Sequence, residues 1–276
     1  MKTLSPVTQA YIEVAKQLTE NDKCPLIPAE LRSEFSQIAP RFANYRQHDS
    51  LEFMNILLDI LHDNLSKLSS NNDTSIISEI FYGQTQSVVT CTQCKEEQTF
   101  YDTFSFLAVP VPENDYWRQP NGHDLFECFN SFFEDAPIGQ RGQWFCNTCG
   151  LTNAKKKIKL SNLPSILIIQ LKRFNYDLHS YSKIDTKINY RLENLDLNEY
   201  VIAEKKDPSL RFDLIAVSNH WGNLIGGHYT TYGKLHNTNM WYKYNDQWVD
   251  QIDINQVKYN KDAYILIYQK QQVTSV

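Results

Sequence analysis

The chain has 276 residues, 42% of them hydrophobic, with a formal net charge of −5. That is apolar material for one or two folded domains and excludes general disorder. No basic stripe suits nucleic acid, and no apolar run nears the ~18 residues a membrane-spanning helix needs, so neither partner is expected.

The first seventy or so residues read as helical. Val7 to Thr19 follows Pro6 with Ala10, Ile12, Val14, Ala15 and Leu18 apolar. Pro28-Ala29-Glu30 opens a second helix with proline at its first position. The strongest helix runs from about Asp49 to Leu68, where Leu51, Met54, Leu58, Leu61 and Leu65 recur at three- and four-residue steps. Strand-like alternation follows at Gln86 to Thr90 and Gln98 to Tyr101. Phe106 to Pro112 is a strand ended by prolines, and Asp124 to Phe133 is a short helix. From Ser165 onward a mostly antiparallel sheet is predicted. Its strand Ile166 to Leu171, apolar throughout, is expected to be central and covered on both faces. A helical start, a metal-stapled β region and a β-rich end define an α+β chain.

Six cysteines occur, four of them as the pairs Cys91/Cys94 and Cys146/Cys149. A two-residue spacer lets both thiolates of a pair point at one ion, and four thiolates make a tetrahedral zinc site. With the pairs so far apart, the site joins two distant hairpins. Four protein ligands leave no position for water, so the zinc is structural. Cys24 and Cys128 read as small buried or loop residues. Paired thiols and an N-terminus without an apolar leader predict a reducing, cytoplasmic and/or nuclear location.

Gly226-Gly227-His228-Tyr229 places a histidine after two glycines at the start of a strand, and Tyr244-Asn245-Asp246 ends the next strand seventeen positions on. In an antiparallel hairpin these ends are neighbours. The Asn245 amide oxygen is positioned to accept the His228 Nδ1–H and leave Nε2 for a nucleophile, as in a Cys-His-Asn site; Asp246 is the reserve partner.

These residues resemble the ubiquitin-specific proteases, the papain-like deubiquitinases. The match is carried, in order, by Tyr45-Arg46-Gln47-His48-Asp49-Ser50-Leu51-Glu52-Phe53, the two cysteine pairs, Leu171-Lys172-Arg173-Phe174, and Gly227-His228-Tyr229 with Tyr244-Asn245-Asp246. A run from Tyr101 to Pro110 matches one subgroup. The resemblance implies one papain-like catalytic domain lacking its N-terminal part: a helical thumb remnant over 1–75, zinc-bearing fingers over 76–160 and a β-rich palm over 161–276. It implies ubiquitin and ubiquitinated proteins as partners, and thiol-dependent hydrolysis of the isopeptide bond after ubiquitin's last glycine. Asp49 and Glu52 would meet the arginine-bearing tail of ubiquitin. Phe174 and Tyr176 would line its apolar groove or pack in the core, and Trp221 to Gly227 would form a blocking loop. The family's cysteine box, which holds the nucleophile ahead of the first helix, has no counterpart here. Cys24 follows that helix and lacks the matching flanks. The chain as given is therefore expected to be inactive, the alternative function being a non-catalytic ubiquitin-binding module.

Overall fold

The computed structural model of the chain describes residues 3–20, 26–44, 46–69, 73–113, 121–138, 144–177, 180–223, 226–236 and 238–272. Cys24 and Tyr45 lie outside them, and Tyr176 is described by its backbone alone. The helical start is α1 (Pro6–Glu20), α2 (Ala29–Ile38), α3 (Ser50–Leu68) and α4 (Ile76–Phe81). In α3 the leucine period turns Leu51, Leu57, Leu58 and Leu61 into the core, and the Asp49 carboxylate caps the first turn. Pro28 caps α2 instead of opening it, because its ψ of 56° is not helical.

After α4 the chain forms β1 (Gly83–Cys91), β2 (Glu97–Phe104), β3 (Leu107–Pro110) and β4 (His123–Asp124). Helix α5 (Leu125–Phe133) begins with a capping box between Asp124 and Glu127. Then come β5 (Ala136–Ile138), β6 (Trp144–Cys146), β7 (Gly150–Thr152), β8 (Ala154–Asn162) and β9 (Ile166–Lys172). The hairpin of β10 (Phe174–Asp177) and β11 (Ser180–Lys183) follows, with β12 (Ile188–Asn189) beyond it. The chain closes with β13 (Phe212–Gly222), β14 (Gly227–Lys234), β15 (Trp241–Asn245), β16 (Trp248–Ile252), α6 (Ile254–Lys258) and β17 (Ala263–Lys270).

Two sheets carry the architecture. The palm sheet has strand order β16-β15-β14-β13-β17-β9-β3 and is antiparallel except for the β3–β9 pair. The finger sheet has order β2-β1-β8-β5, with β6 and β7 forming a separate knuckle. Helices α1 to α4 pack on one palm face through Ile168, Tyr264 and Ile265. The opposite face packs α5 through Leu167, Ile169, Leu171 and Leu266. Strand β9 is thus covered on both faces as its apolar run requires, but it lies next to the edge strand β3, not at the centre. Strand β3 and helix α5, inside the 76–160 stretch read as fingers, belong to the palm: β3 extends its sheet and α5 fills its core. The alternation of β3 could not reveal which sheet it would join. No helix among the described residues is long and apolar enough to cross a membrane.

Candidate active site

His228 and Asn245 are brought together by the β14–β15 hairpin. The two strands pair from Thr231 with Tyr244 to Lys234 with Trp241. Continuing that register puts Asn245 on the same face as His228, one diagonal step away. The imidazole Nε2 lies 2.6 Å from the Asn245 Oδ1. The sequence reading gave this contact to Nδ1. The diagonal offset calls for the far end of the ring, so Nε2 makes it and Nδ1 is left for a nucleophile. Asp246, with a left-handed φ of 52° at the turn, stands 3.9 Å from the same nitrogen, too far for a hydrogen bond.

A channel between helices and palm reaches Gln47, which is bonded to the residue before His228. Its deeper part, about 600 Å³, is lined by Asp49, Glu52, Phe106, Lys172, Phe174 and Tyr264. It continues past Gln47, His220, Asn223 and Tyr229. The Gly227 N–H donates to the Gln47 Oε1 at 2.6 Å, tying the glycine before His228 to the helical side. One Asp49 oxygen accepts from the Leu51 and Glu52 amides at 2.8 and 3.0 Å, and the other accepts from the Tyr264 hydroxyl. Burial and this carboxylate push the Tyr264 phenol up, so it stays a donor. Asp49 is thereby a fixed negative charge on the channel wall. Glu52 pairs with Arg41 at 2.6 Å, both side chains being partly exposed. Such a surface pair is weak and can be exchanged for an incoming guanidinium.

Phe174 stands edge-on to His220 and Tyr264, with centroids at 5.3 and 5.6 Å. Its position is set by Arg173, a buried guanidinium that donates to the carbonyls of Ala263, Ile184 and Thr186 at 2.6, 2.9 and 2.7 Å. Tyr176 lies on β10 opposite Tyr181. The stretch expected as a blocking loop is in part a hairpin: Trp221 pairs with His228 and Gly222 with Gly227, while residues 224 and 225 fall outside the described chain. Sequence reasoning missed His220, Tyr229 and Tyr264 as channel residues. Each is an ordinary strand residue in the sequence, and only the sheet register gathers them.

At the finger tip the four paired cysteines converge, their sulfurs all within 4.8 Å of one another and those of Cys94 and Cys146 at 3.5 Å. Tetrahedral thiolates about 2.3 Å from an ion stand about 3.8 Å apart, so the cluster fits a single metal ion. The turns are made by left-handed backbone at Lys95 (φ 65°) and Gly150 (φ 73°). Cys128 is elsewhere, fully buried on the core-facing side of α5, and burial pushes its thiol up to about 12.

A helical layer against a palm sheet, with a histidine–amide pair next to a channel between them, is the layout of a papain-like thiol hydrolase. The family described as "Ubiquitin carboxyl-terminal hydrolase" matches residues 2–268, and the chain belongs to it, as a member of the ubiquitin-specific protease type. Ubiquitin carboxyl-terminal hydrolase 2 of Gallus gallus is 32% identical over 88% of this chain and 73% of its own length. For the Homo sapiens protein of the same name the shares are 88% and 43%, at 32% identity, so the chain spans less than half of that relative. Among solved structures, a Ubp8-containing SAGA DUB module bound to monoubiquitin superposes with a TM-score of 0.76. Identity to it is 27%, covering 89% of this chain and 53% of that one. A second structure of such a module, with ubiquitin aldehyde, shares the fold at a TM-score of 0.77 and 24% identity, over 98% of this chain and 67% of that one.

Proposed function

We propose that the chain binds ubiquitin by threading its tail along the channel, and that it carries the histidine–amide part of a thiol-dependent isopeptidase acting on ubiquitinated proteins. The observation that supports this most is the His228–Asn245 pair, tied through the Gly227–Gln47 bond to a channel walled by Asp49, Glu52 and Phe174. Asp49 and Glu52 suit the guanidiniums of an arginine-bearing tail through charge-assisted hydrogen bonds. In the reaction a thiolate attacks the carbonyl carbon of ubiquitin's last glycine. His228, oriented by Asn245, then gives a proton to the departing lysine amine as the C–N bond breaks. Water hydrolyses the thioester, releasing ubiquitin's carboxylate and restoring the thiol.

None of the five described cysteines suits that attack: four gather at the finger tip and Cys128 is buried with a raised pKa. We infer that the chain as given does not turn ubiquitin conjugates over. The finger-tip cysteines are proposed to hold one structural zinc, and a reducing cytoplasm or nucleus is the compartment that keeps such thiols free.

The test is incubation with a ubiquitin C-terminal fluorogenic substrate and a thiol-reactive ubiquitin probe, alongside an NMR titration with ubiquitin. Shifts without turnover or labelling are expected. Labelling abolished by Cys24→Ala would make Cys24 the nucleophile, and a titration without shifts would overturn the ubiquitin reading.

A further inference from the structure

Four side chains stand in one row across the end of the palm sheet. Trp221 of β13 lies directly opposite His228 of β14, and Asn245 of β15 directly opposite Trp248 of β16. Directly opposed residues of an antiparallel pair present their side chains on the same face. The His228–Asn245 contact joins the two pairs, so the order across the face is Trp221, His228, Asn245, Trp248. Neighbouring strands are about 4.8 Å apart and Asn245 is offset from His228 by one diagonal step, which sets the backbones of the two tryptophans roughly 16 Å from each other with the imidazole and amide between them. Trp221 is 71% exposed and Trp248 64% exposed. Exposed aromatics grouped around one point mark contact surfaces more often than solitary ones do.

The reaction decides what passes over this row. The channel reaches Gln47, whose side chain is bonded to the Gly227 N–H, and His228 of the row is the next residue. The departing amine must come within hydrogen-bond reach of His228 to take its proton. That amine is the Nζ of the acceptor lysine, which is uncharged while the isopeptide bond is intact and is followed by four methylenes. An apolar stem leaving from His228 has water or an indole face to lie on, and each buried methylene favours the indole.

Resting on the deubiquitinase reading, we propose that Trp221 and Trp248 form the acceptor-side cradle of the site, holding the aliphatic stem of the ubiquitin-linked lysine and the backbone beside it. The cradle makes the chain recognise the conjugate, not ubiquitin alone. It selects on the lysine side of the bond, while the channel selects on the ubiquitin side.

The test compares binding of two ligands to the intact chain by calorimetry. One is ubiquitin; the other is a non-hydrolysable isostere of ubiquitin joined through its C-terminus to the lysine of a glycine-flanked peptide. The conjugate is expected to bind roughly tenfold tighter, the value for burying about half of the stem. Trp221→Ala and Trp248→Ala should each cut that ratio severalfold, and Trp248→Phe should keep it. Both indoles being exposed, the variants should melt like the parent. A conjugate that binds no tighter than ubiquitin, or alanine variants that keep the full ratio, would overturn the cradle. If neither ligand binds, the fault lies with the ubiquitin reading beneath it.

Discussion

Gly227 lies so close to His220 that a Cβ added to it would stand 2.2 Å from the imidazole Nε2 and 2.7 Å from the Trp221 carbonyl oxygen. His220 cannot retreat, being 4% exposed and flanked by the rings of Phe174, Tyr229 and Tyr264. The next residue in the chain is His228. Close packing therefore fixes where the start of β14, and with it the imidazole, can lie.

Gly227→Ala is accordingly expected to destabilise the protein by about 1–3 kcal/mol, the usual cost of overpacking. It should also displace the hairpin from Gln47. A urea melt measures the first effect, and the 15N shift of residue 227 the second, since its N–H donates to the Gln47 side chain.

Removal of one cysteine ligand separates a metal site from four chance thiols. Cys146→Ser should lose the ion and loosen the β6–β7 knuckle, because a structural metal contributes folding free energy directly. Metal analysis of the parent should give about one zinc per chain, the stoichiometry of a four-ligand site. A variant of unchanged melting temperature and metal content would contradict the assignment.

His220 also gives the fold a pH dependence. Burial holds its pKa below 6.5, and the positive charge of Lys183, whose ammonium donates to the His220 carbonyl at 2.6 Å, adds to this. Asp49 and Asp262 oppose the shift without reversing it. Above pH 6.5 both folded and unfolded forms are neutral. As pH falls from 6.5 toward the lower folded value, the unfolded chain takes up the proton first, so stability is lost in that window. Urea midpoints should fall between pH 7.5 and 5.5, and His220→Asn should flatten that slope; equal slopes would remove His220 as the cause.

Much of this was legible in the sequence because it was local. The leucine period defined α3, the Cys-x-x-Cys spacers defined the cluster, and the glycines before His228 marked the hairpin. What stayed hidden depends on register and on contacts between distant segments. Asp49 reads as a helix cap, and its second partner, Tyr264, lies 215 positions away. Trp248 reads as one of many aromatics until β16 pairs it with Asn245. The choice of ring nitrogen at His228 follows from a diagonal offset between strands, which spacing alone does not give. Strand β3 joined the palm because it could pair in parallel with β9, a partner some sixty residues downstream.

The central claim is that the channel reaching Gln47 beside the start of β14 receives the tail of ubiquitin, and titration with two forms of ubiquitin tests it most directly. Full-length ubiquitin and ubiquitin lacking its two C-terminal glycines are added to the isotope-labelled chain, and shifts are followed at Gln47, Gly227 and His228. Full-length ubiquitin should bind and move these signals, and the shortened form should bind at least about tenfold more weakly, as the loss of one well-seated segment entails. Equal affinity for the two forms, or binding that leaves Gln47 and Gly227 unmoved, would contradict it.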